Sequence, residues 1–226
     1  MDNSNYLKSP ITIAISGASG TVYGIRTLQF LLENNYKVEL VISESATKVA
    51  KEETSLTLST SPELLKEQVL SYLEKNSNKK IQSALLNVWA HNDIGASISS
   101  GSYRTLGMII IPASMGTIGA IASGTSDNLI TRAADVCLKE RRKLVLVPRE
   151  MPLNTIHLEN VLKLSQIGAI IAPASPAFYH NPKELINSID FVVGKVLDLF
   201  GIEHSMFKRW KEESKDLAYR QPVIPA

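Results

Sequence analysis

Cysteine is almost absent from this 226-residue sequence, in which Cys137 is the single example. An internal disulfide framework and a cysteine-rich metal site are therefore excluded, and the composition fits a reducing cytoplasm. The four histidines show no metal-ligand spacing, so we expect no bound metal ion. An excess of one charge is also absent, with 24 basic against 22 acidic residues. A dedicated nucleic-acid-binding protein would be more basic, so we expect no nucleic-acid partner.

Hydrophobic segments able to cross a membrane are scarce as well. Residues 105–126 carry no charge and are long enough to span a bilayer, but Pro112 and several glycines interrupt them. We interpret this stretch as a buried strand followed by a loop and a packed helix. Residues 1–10 are polar and lack the apolar core of a signal peptide, so we expect a flexible tail there. A second tail is expected over 211–226, which is charged and then contains two prolines.

Three common catalytic or nucleotide-binding motifs are missing. The sequence has no G-x-G-x-x-G dinucleotide fingerprint, no G-x-x-x-x-G-K-[ST] phosphate loop and no G-x-S-x-G nucleophile elbow. The second apolar run is followed by Ser43, where an NAD-binding protein would have an acidic residue for the ribose. These absences argue against an NAD enzyme, a P-loop nucleotidase and a serine hydrolase.

What the sequence does contain is a regular alternation of short apolar runs and helix-length segments. The apolar runs predict strands at 11–15, 38–42, 84–89, 108–111, 144–147 and 169–172. Helical spacing and capping residues predict helices at 21–34, 43–53, 62–74, 127–142, 155–166 and 181–200. We expect Pro112 to end the fourth strand and Asp127 to cap the helix that follows it. The alternation predicts a single three-layer α/β domain, Rossmann-like (flavodoxin-like), with a parallel sheet covered by helices on both faces.

Ligands of such sheets bind outside the carboxyl ends of the strands, so the residues that follow each strand form the candidate site. Small, hydroxylic and cationic residues gather there, which suits a phosphate-bearing ligand. The first loop, Gly17–Gly20, opens a helix whose N-terminus favours an anion, although a tight turn without a ligand is the alternative for this loop alone. Arg149 can bind phosphate through two hydrogen bonds, and Glu150 can accept a proton. Arg132 and Lys139 share one helix face, either as phosphate ligands or as a solvated charge stripe.

Together, several of these segments resemble the UbiX family of flavin prenyltransferases. The segments are Gly17–Gly20, 112–117, 127–135, 138–142, 144–150 and 178–180. The resemblance extends from about Ile11 to Trp210, and the run from Asn128 to Glu150 is highly specific to that family.

The resemblance implies an enzyme that transfers a dimethylallyl group from dimethylallyl phosphate to N5 and C6 of reduced FMN. The product, prenylated FMN, would serve a UbiD-like decarboxylase, often in ubiquinone synthesis. Members of the family need no metal ion and are typically homododecamers with active sites at subunit contacts. We therefore expect FMN as the cofactor and prenyl acceptor, a homo-oligomer, and a cytoplasmic protein without a membrane span.

The resemblance also implies roles for individual residues. Catalytic roles are expected for Ser19, Glu53, Lys139 and Glu150, with Ser19 relaying a proton near flavin N5 and Glu150 handling the leaving phosphate. FMN contacts are expected from Gly17, Ala18, Ser19, Ser43, Ser114, Met115, Gly116, Thr117, Arg132 and Arg149. Contacts to the prenyl phosphate are expected from Lys139, Arg149, Glu150, Tyr179 and Lys195. Some members have Arg in place of Lys195 and Trp in place of Ile94, so the donor pocket of this chain differs from theirs.

Two alternatives stand beside this interpretation. An FMN-dependent cysteine decarboxylase has the same fold class, but typically carries a catalytic histidine near the end of the first helix and a Pro-Ala-Ser-Ala-Asn-Thr loop. This sequence has Pro-Ala-Ser-Met-Gly-Thr at 112–117 and no histidine in its first predicted helix. A non-catalytic flavin carrier would not need Lys139, Glu150, Tyr179 and Lys195 together. The prenyltransferase is therefore the favoured interpretation.

Overall fold

A six-stranded parallel sheet lies at the centre of the computed structural model, which describes residues 9–54, 56–77 and 79–210. Its strands are β1 (Ile11–Ile15), β2 (Val38–Ile42), β3 (Leu86–Trp89), β4 (Gly107–Ala113), β5 (Lys143–Pro148) and β6 (Ile170–Ile171). The helices are α1 (Thr21–Glu33), α2 (Glu44–Glu53), α3 (Pro62–Lys75), α4 (Met115–Ala122), α5 (Leu129–Lys139), α6 (Thr155–Gln166) and α7 (Leu185–Leu199). Short 3₁₀ helices lie at Ser83–Leu85 and Ser97–Ser99.

Alternate residues of the central strands enter two separate hydrophobic cores. Ile13 of β1 packs on one side of the sheet with Leu28 of α1 and Val193 of α7. Ile110 of β4 packs on the other side with Ala133 of α5. Because both faces of these strands are buried, their sequences read as continuous apolar runs. The predicted sheet with helices on both faces is confirmed.

The prediction that Pro112 ends β4 is wrong, because the strand continues to Ala113. Its register with β5 shifts between Ile110 and Ala113. A proline has no N–H to donate to a ladder, and an irregular stretch of strand removes the need for one. The charge-free segment then continues into α4, which confirms the strand and the packed helix, but only Ser114 lies between them where a loop is expected.

The helix predicted over 127–142 is shorter, and its cap is a different residue. α5 begins at Leu129, and the side chain of Asn128 caps it by accepting a hydrogen bond from the Thr131 N–H at 3.1 Å. Asp127 lies before the cap and accepts from the Thr131 hydroxyl instead. Arg141 has a positive φ of 54°, a left-handed backbone that cannot continue an α-helix.

Three other predicted boundaries also need correction. The third strand begins at Leu86 rather than residue 84, because residues 83–85 form a 3₁₀ turn. The sixth strand is limited to Ile170–Ile171. The last helix begins at Leu185 rather than 181, because Asn181 has a positive φ of 54° and Glu184 occupies the cap position.

The strand order, β3-β2-β1-β4-β5-β6, places a topological switch point between β1 and β4. The chain builds the sheet outwards from β1 through β2 to β3, and then from β4 through β5 to β6 on the other side. Open α/β sheets bind ligands at the carboxyl ends of the strands at such a point. No helix within the described ranges is long and apolar enough to cross a membrane. Apart from Ser9 and Pro10, the two predicted tails lie outside those ranges.

Candidate active site

A buried serine joins the two loops at the switch point. The Ser16 hydroxyl donates to the Pro112 carbonyl at 3.0 Å and accepts from the Ser114 N–H at 2.7 Å. The residue is only 1% exposed, so these hydrogen bonds are shielded from water. They fix the loop after β1 against the loop after β4. We call the space between these loops, residues 16–20 and 114–117, the crevice, and we count with it Ser43, Glu53 and Arg149, which border it.

Two helix N-termini at this edge of the sheet are capped by serines that follow strands. The Ser43 side chain accepts from the Ala46 N–H at 3.1 Å at the start of α2. The Ser114 side chain accepts from the Thr117 N–H at 3.2 Å at the start of α4. A helix N-terminus carries partial positive charge and N–H groups without partners in the helix, which suits a phosphate. Both serines are therefore where a flavin phosphate could be bound.

Two glycines of the crevice differ in the space around them. A β-carbon on Gly17 would collide with the Ser45 side chain, so the loop after β1 lies directly against the start of α2. A β-carbon on Gly116 would meet no atom within 4 Å. The backbone at Gly116 is therefore open to a flat ring system, and these residues fit FMN.

The N-terminus of α1, predicted to favour an anion, is capped by a carboxylate of the chain itself. The Glu53 carboxylate accepts from the N–H groups of Gly20 and Thr21, each at 2.9 Å. Burial by itself would raise the pKa of Glu53, but hydrogen bonds from the Ser19 side chain and these two N–H groups outweigh it and lower the pKa. Glu53 therefore stays ionised and in contact with Ser19.

Arg149, which follows β5 at its carboxyl end, contacts Ser19 as well. Its Nε donates to the Ser19 carbonyl at 3.0 Å, and the neighbouring Glu150 accepts from the Met151 N–H at 3.1 Å. Ser19, Glu53 and Arg149 share the wall of a cavity of about 390 Å³ that runs between α1 and α7. The rest of that wall includes Ile186, Ile189, Val22 and Tyr23.

The two predicted phosphate ligands on α5 have partners of their own, and Lys139 lies far from the crevice. The Arg132 side chain donates to the Ser99 carbonyl at 3.1 Å and pairs with Asp135 at 2.8 Å. Lys139, the last residue of α5, pairs with Glu140. The chain then enters β5 at Lys143, at the amino edge of the sheet, whereas Arg149 follows β5 at the carboxyl edge. Six strand residues separate the two edges by roughly 16 Å.

Lys195 and Tyr179 are also separate from the crevice. Lys195 lies near the end of α7 and pairs with Asp198 at 3.6 Å. That end is at the amino edge, because Lys143 of β5 donates to the Leu199 carbonyl. The Tyr179 ring packs edge-on against the ring of Phe191. Phe191 lies on α7, one helical turn before Lys195. None of Lys139, Tyr179 and Lys195 lines the cavity beside Ser19, so one protomer does not bring the predicted donor site together. We call Arg132, Lys139 and Lys195 the outer cations.

Sequence reasoning missed two residues of the site. Ser16 was overlooked, although it directly follows the first strand and is small and hydroxylic, which is the pattern used for Ser43. Tyr23 lines the cavity with Arg149, and burial raises the pKa of its phenol. Within the described ranges, no three His, Cys, Asp or Glu residues are grouped so as to hold a metal ion.

Comparison with known proteins then identifies the family. A family model described as Flavoprotein matches residues 2–206. The flavin prenyltransferase UbiX of Alkalihalophilus pseudofirmus is 49% identical over 209 residues, which cover 92% of this chain and 100% of the relative. This chain belongs to the UbiX family of flavin prenyltransferases.

Solved structures of UbiX proteins have the same fold. AnUbiX (PadA1), solved with FMN and dimethylallyl pyrophosphate, is 40% identical with a TM-score of 0.78, over 92% of this chain and 100% of that one. A dodecameric FMN-dependent UbiX-like decarboxylase from Escherichia coli O157:H7 is 41% identical with a TM-score of 0.77, over 90% and 100%. The cysteine decarboxylase TvaF is only 15% identical with a TM-score of 0.52, so it shares the fold alone. The resemblance to UbiX proteins is thereby confirmed.

Proposed function

We propose that this chain transfers a dimethylallyl group from dimethylallyl phosphate to N5 and C6 of reduced FMN, in a site shared between subunits. One observation carries the proposal: Ser19, Glu53 and Arg149 meet at a single point, between the crevice and a largely apolar cavity. The crevice suits the flavin and the cavity suits an isoprenoid group. The reacting atoms would lie beside a hydroxyl, a carboxylate and a guanidinium.

The residues predicted to hold FMN fit the crevice. The serine-capped starts of α2 and α4 provide N–H groups for the phosphate, through Ser43 and through Ser114, Met115, Gly116 and Thr117. Gly17, Ala18 and Ser19 form the opposite wall, which Arg149 fixes from outside. Reduced flavin supplies the two nucleophilic positions and an electron-rich ring face that stabilises a developing allylic cation.

The chemistry requires charge stabilisation and proton transfer from the protein. The C–O bond of the donor breaks with its electron pair leaving on phosphate, C1 of the dimethylallyl group bonds to N5, and the N5 proton is lost. The remaining C2=C3 double bond then takes up one proton at C2 while C3 bonds to C6, and C6 loses its proton, so the net addition is C5H8. Arg149 can stabilise the leaving phosphate from the crevice side. The Ser19 hydroxyl donates to Glu53, so a proton accepted near N5 can pass to that carboxylate. Glu150, beside Arg149, is the candidate for the later proton removal at C6.

The remaining donor contacts, Lys139, Tyr179 and Lys195, come from neighbouring subunits in this proposal, since one chain keeps them apart from Ser19. α6 exposes apolar side chains on two sides of the helix, since its only buried residue is Leu164 while Ile156, Leu158, Leu162 and the following Ile167 are all more than half exposed. Large exposed apolar patches usually mark an interface. The dodecameric relative from E. coli supports a homo-oligomer of this kind. Arg132 then supports the phosphate region from the same face of α5 as Lys139.

The reaction is tested by incubating the chain anaerobically with reduced FMN and dimethylallyl phosphate, without added metal. The mass of the extracted flavin is then measured by mass spectrometry. We expect a flavin heavier by one C5H8 unit. Lys139→Ala should lose turnover, whereas the exposed Lys48→Ala, as a matched loss of one lysine, should retain it. Tightly bound but unmodified FMN would contradict the proposal and direct the next test to cysteine substrates. We place the reaction in the cytoplasm, with a UbiD-like decarboxylase as the acceptor of the product.

A further inference from the structure

We propose that Glu39 is a positioning residue for the prenyl phosphate: it anchors residues 97–103, and through that segment it holds Arg132 and Lys139 in place. This inference rests on the proposed function, in which Lys139 contacts the donor phosphate and Arg132 supports the phosphate region. These residues consist of the 3₁₀ helix Ser97–Ser99 and the four residues after it, precede β4, and are called the 97–103 segment below.

Glu39 is a carboxylate in the middle of the sheet, only 1% exposed. It accepts hydrogen bonds from Trp89 Nε1 at 2.6 Å, from the Tyr103 hydroxyl at 2.6 Å and from Asn87 Nδ2 at 3.1 Å. A buried carboxylate is costly unless it is well paired, and an apolar residue would fill a β-strand position at lower cost. All three donors lie on β3 or the 97–103 segment, so the carboxylate serves to attach these parts.

The opposite side of the 97–103 segment is held by arginines of α5 and the turn after it. Arg132 Nε donates to the Ser99 carbonyl at 3.1 Å. Arg142 donates to the Tyr103 carbonyl at 2.6 Å and to the Gly101 carbonyl. The segment is therefore a layer between Glu39 and the outer cations on α5, fixed from both sides by hydrogen bonds.

Lys139 lies directly on this layer. A β-carbon on Gly101 would be 2.7 Å from Lys139 Nζ, so the ammonium group rests against the Gly101 backbone. A shift of the segment would therefore move the ammonium group and the Arg132 side chain together. An error of about 1 Å in the placement of a catalytic group can lower the rate up to 100-fold. The Tyr103–Glu39 hydrogen bond is the connection that sets the depth of the segment against the sheet.

The test is a kinetic comparison of variants with reduced FMN and dimethylallyl phosphate under anaerobic conditions. Glu39→Gln keeps the shape but weakens the acceptor, and we expect kcat/KM for dimethylallyl phosphate to fall roughly tenfold. The affinity for FMN should not change, since the crevice makes no contact with the 97–103 segment in this proposal. Tyr103→Phe removes only the hydroxyl that reaches Glu39, so it should lower kcat/KM in the same direction even if Glu39→Gln folds poorly.

A matched control separates positioning from stability. Leu32→Ala removes buried apolar contacts in α1, in the core on the opposite face of the sheet from α5, and Leu32 does not line the cavity. It should lower the melting temperature while leaving kcat/KM unchanged. Equal kinetic effects of Glu39→Gln and Leu32→Ala, or unchanged kcat/KM in both Glu39→Gln and Tyr103→Phe, would overturn the inference.

A double-mutant cycle shows whether Glu39 acts through Lys139. If it does, Glu39→Gln adds little to the loss already caused by Lys139→Arg, which keeps the charge and leaves turnover measurable, whereas independent sites would give additive losses. Additive losses would refute the positioning role. Normal turnover by Lys139→Ala alone would instead refute the donor-site assignment in the proposed function, so the two failures are distinguishable.

Discussion

The crevice and the outer cations are assembled in different ways. The crevice is built where parallel strands end side by side, so Ser16, Ser43, Ser114 and Arg149 come together although they are far apart in the sequence. The outer cations lie on helix surfaces, and each has an acidic partner within three residues along the chain. The hydrogen bonds that hold the first region together lie within one protomer, whereas each cation of the second region pairs with an acidic side chain on its own surface.

The two regions also differ in how easily their side chains can exchange their present partners for a ligand. Exposed ion pairs contribute at most about 1 kcal/mol, so a phosphate can displace Asp135, Glu140 or Asp198 from its cation at little cost. The hydrogen bonds of Ser16 are buried, and breaking them would leave polar groups without partners. The outer cations are therefore suited to a ligand that binds and leaves, and the crevice is suited to a fixed geometry.

The largest expected effect is complementation between subunits. Arg149→Ala and Lys139→Ala should each abolish turnover, because each removes one cation from every site. If a site takes Arg149 from one subunit and Lys139 from another, oligomers assembled at random from equal amounts of both variants retain roughly a quarter of the sites intact. The measurement is turnover by co-expressed, co-purified variants carrying different affinity tags.

The control is the same experiment with two crevice variants, Arg149→Ala and Ser19→Ala. Both residues contact each other within one chain, so mixing should give no more than the average activity of the two homogeneous variants. No recovery in the mixed Arg149 and Lys139 oligomers would contradict the division of the site between subunits.

A smaller effect is expected from two glycines, Gly24 of α1 and Gly116 of the crevice. A β-carbon on Gly24 would be 2.5 Å from the Ile111 carbonyl oxygen, so Gly24→Ala should push α1 away from β4 and lower the unfolding free energy by about 1–3 kcal/mol. Gly116→Ala meets open space, so stability should be kept or raised by up to about 1 kcal/mol, because Ala is the better helix residue. Urea unfolding measures both variants.

The affinity for FMN also distinguishes a crevice variant from a variant of the outer cations. The methyl group of Gly116→Ala protrudes into the crevice, so FMN titration should show weaker binding in a fully folded protein. Lys195→Ala, taken from the outer cations, should change neither stability beyond about 1 kcal/mol nor FMN affinity. Equal unfolding free energies of Gly24→Ala and Gly116→Ala would show that α1 does not need close contact with β4.

The sequence predicted the crevice better than it predicted the outer cations. Apolar runs located the strands, and the residues after them, such as Ser43 and Arg149, follow from the rule that strand ends meet at one edge. The position of Lys139 relative to Ser19 depends on which edge α5 reaches and on the assembly, and neither is encoded in local spacing. The Asp127 cap was misplaced by one residue because Asn128 is an equally good cap and the two are adjacent.

The smallest expected effect concerns how the unfolding free energy depends on pH. It compares Glu53, a carboxylate of the crevice, with Glu140, a carboxylate beside the outer cations. Burial alone would raise the pKa of Glu53, but hydrogen bonds lower it below the ordinary value of 4.5. A hydrogen bond from Lys139 and its charge lower the pKa of Glu140. Each ionised carboxylate therefore contributes to the unfolding free energy above pH 4.5, and this contribution is lost as the pH falls towards its lowered pKa.

Salt separates the two carboxylates. Backbone N–H groups hold Glu53, so Glu53→Gln should flatten the acid limb of the unfolding free energy equally at low and at high ionic strength. Glu140 is held by one exposed ammonium group, so the effect of Glu140→Gln should be small at low ionic strength and vanish at high ionic strength. The measurement is urea unfolding between about pH 7 and pH 3, in which the difference between variant and parent reports each carboxylate. A strong salt dependence for Glu53→Gln would mean that charge rather than the N-terminus of α1 keeps this carboxylate ionised, and the crevice would then resemble the outer cations.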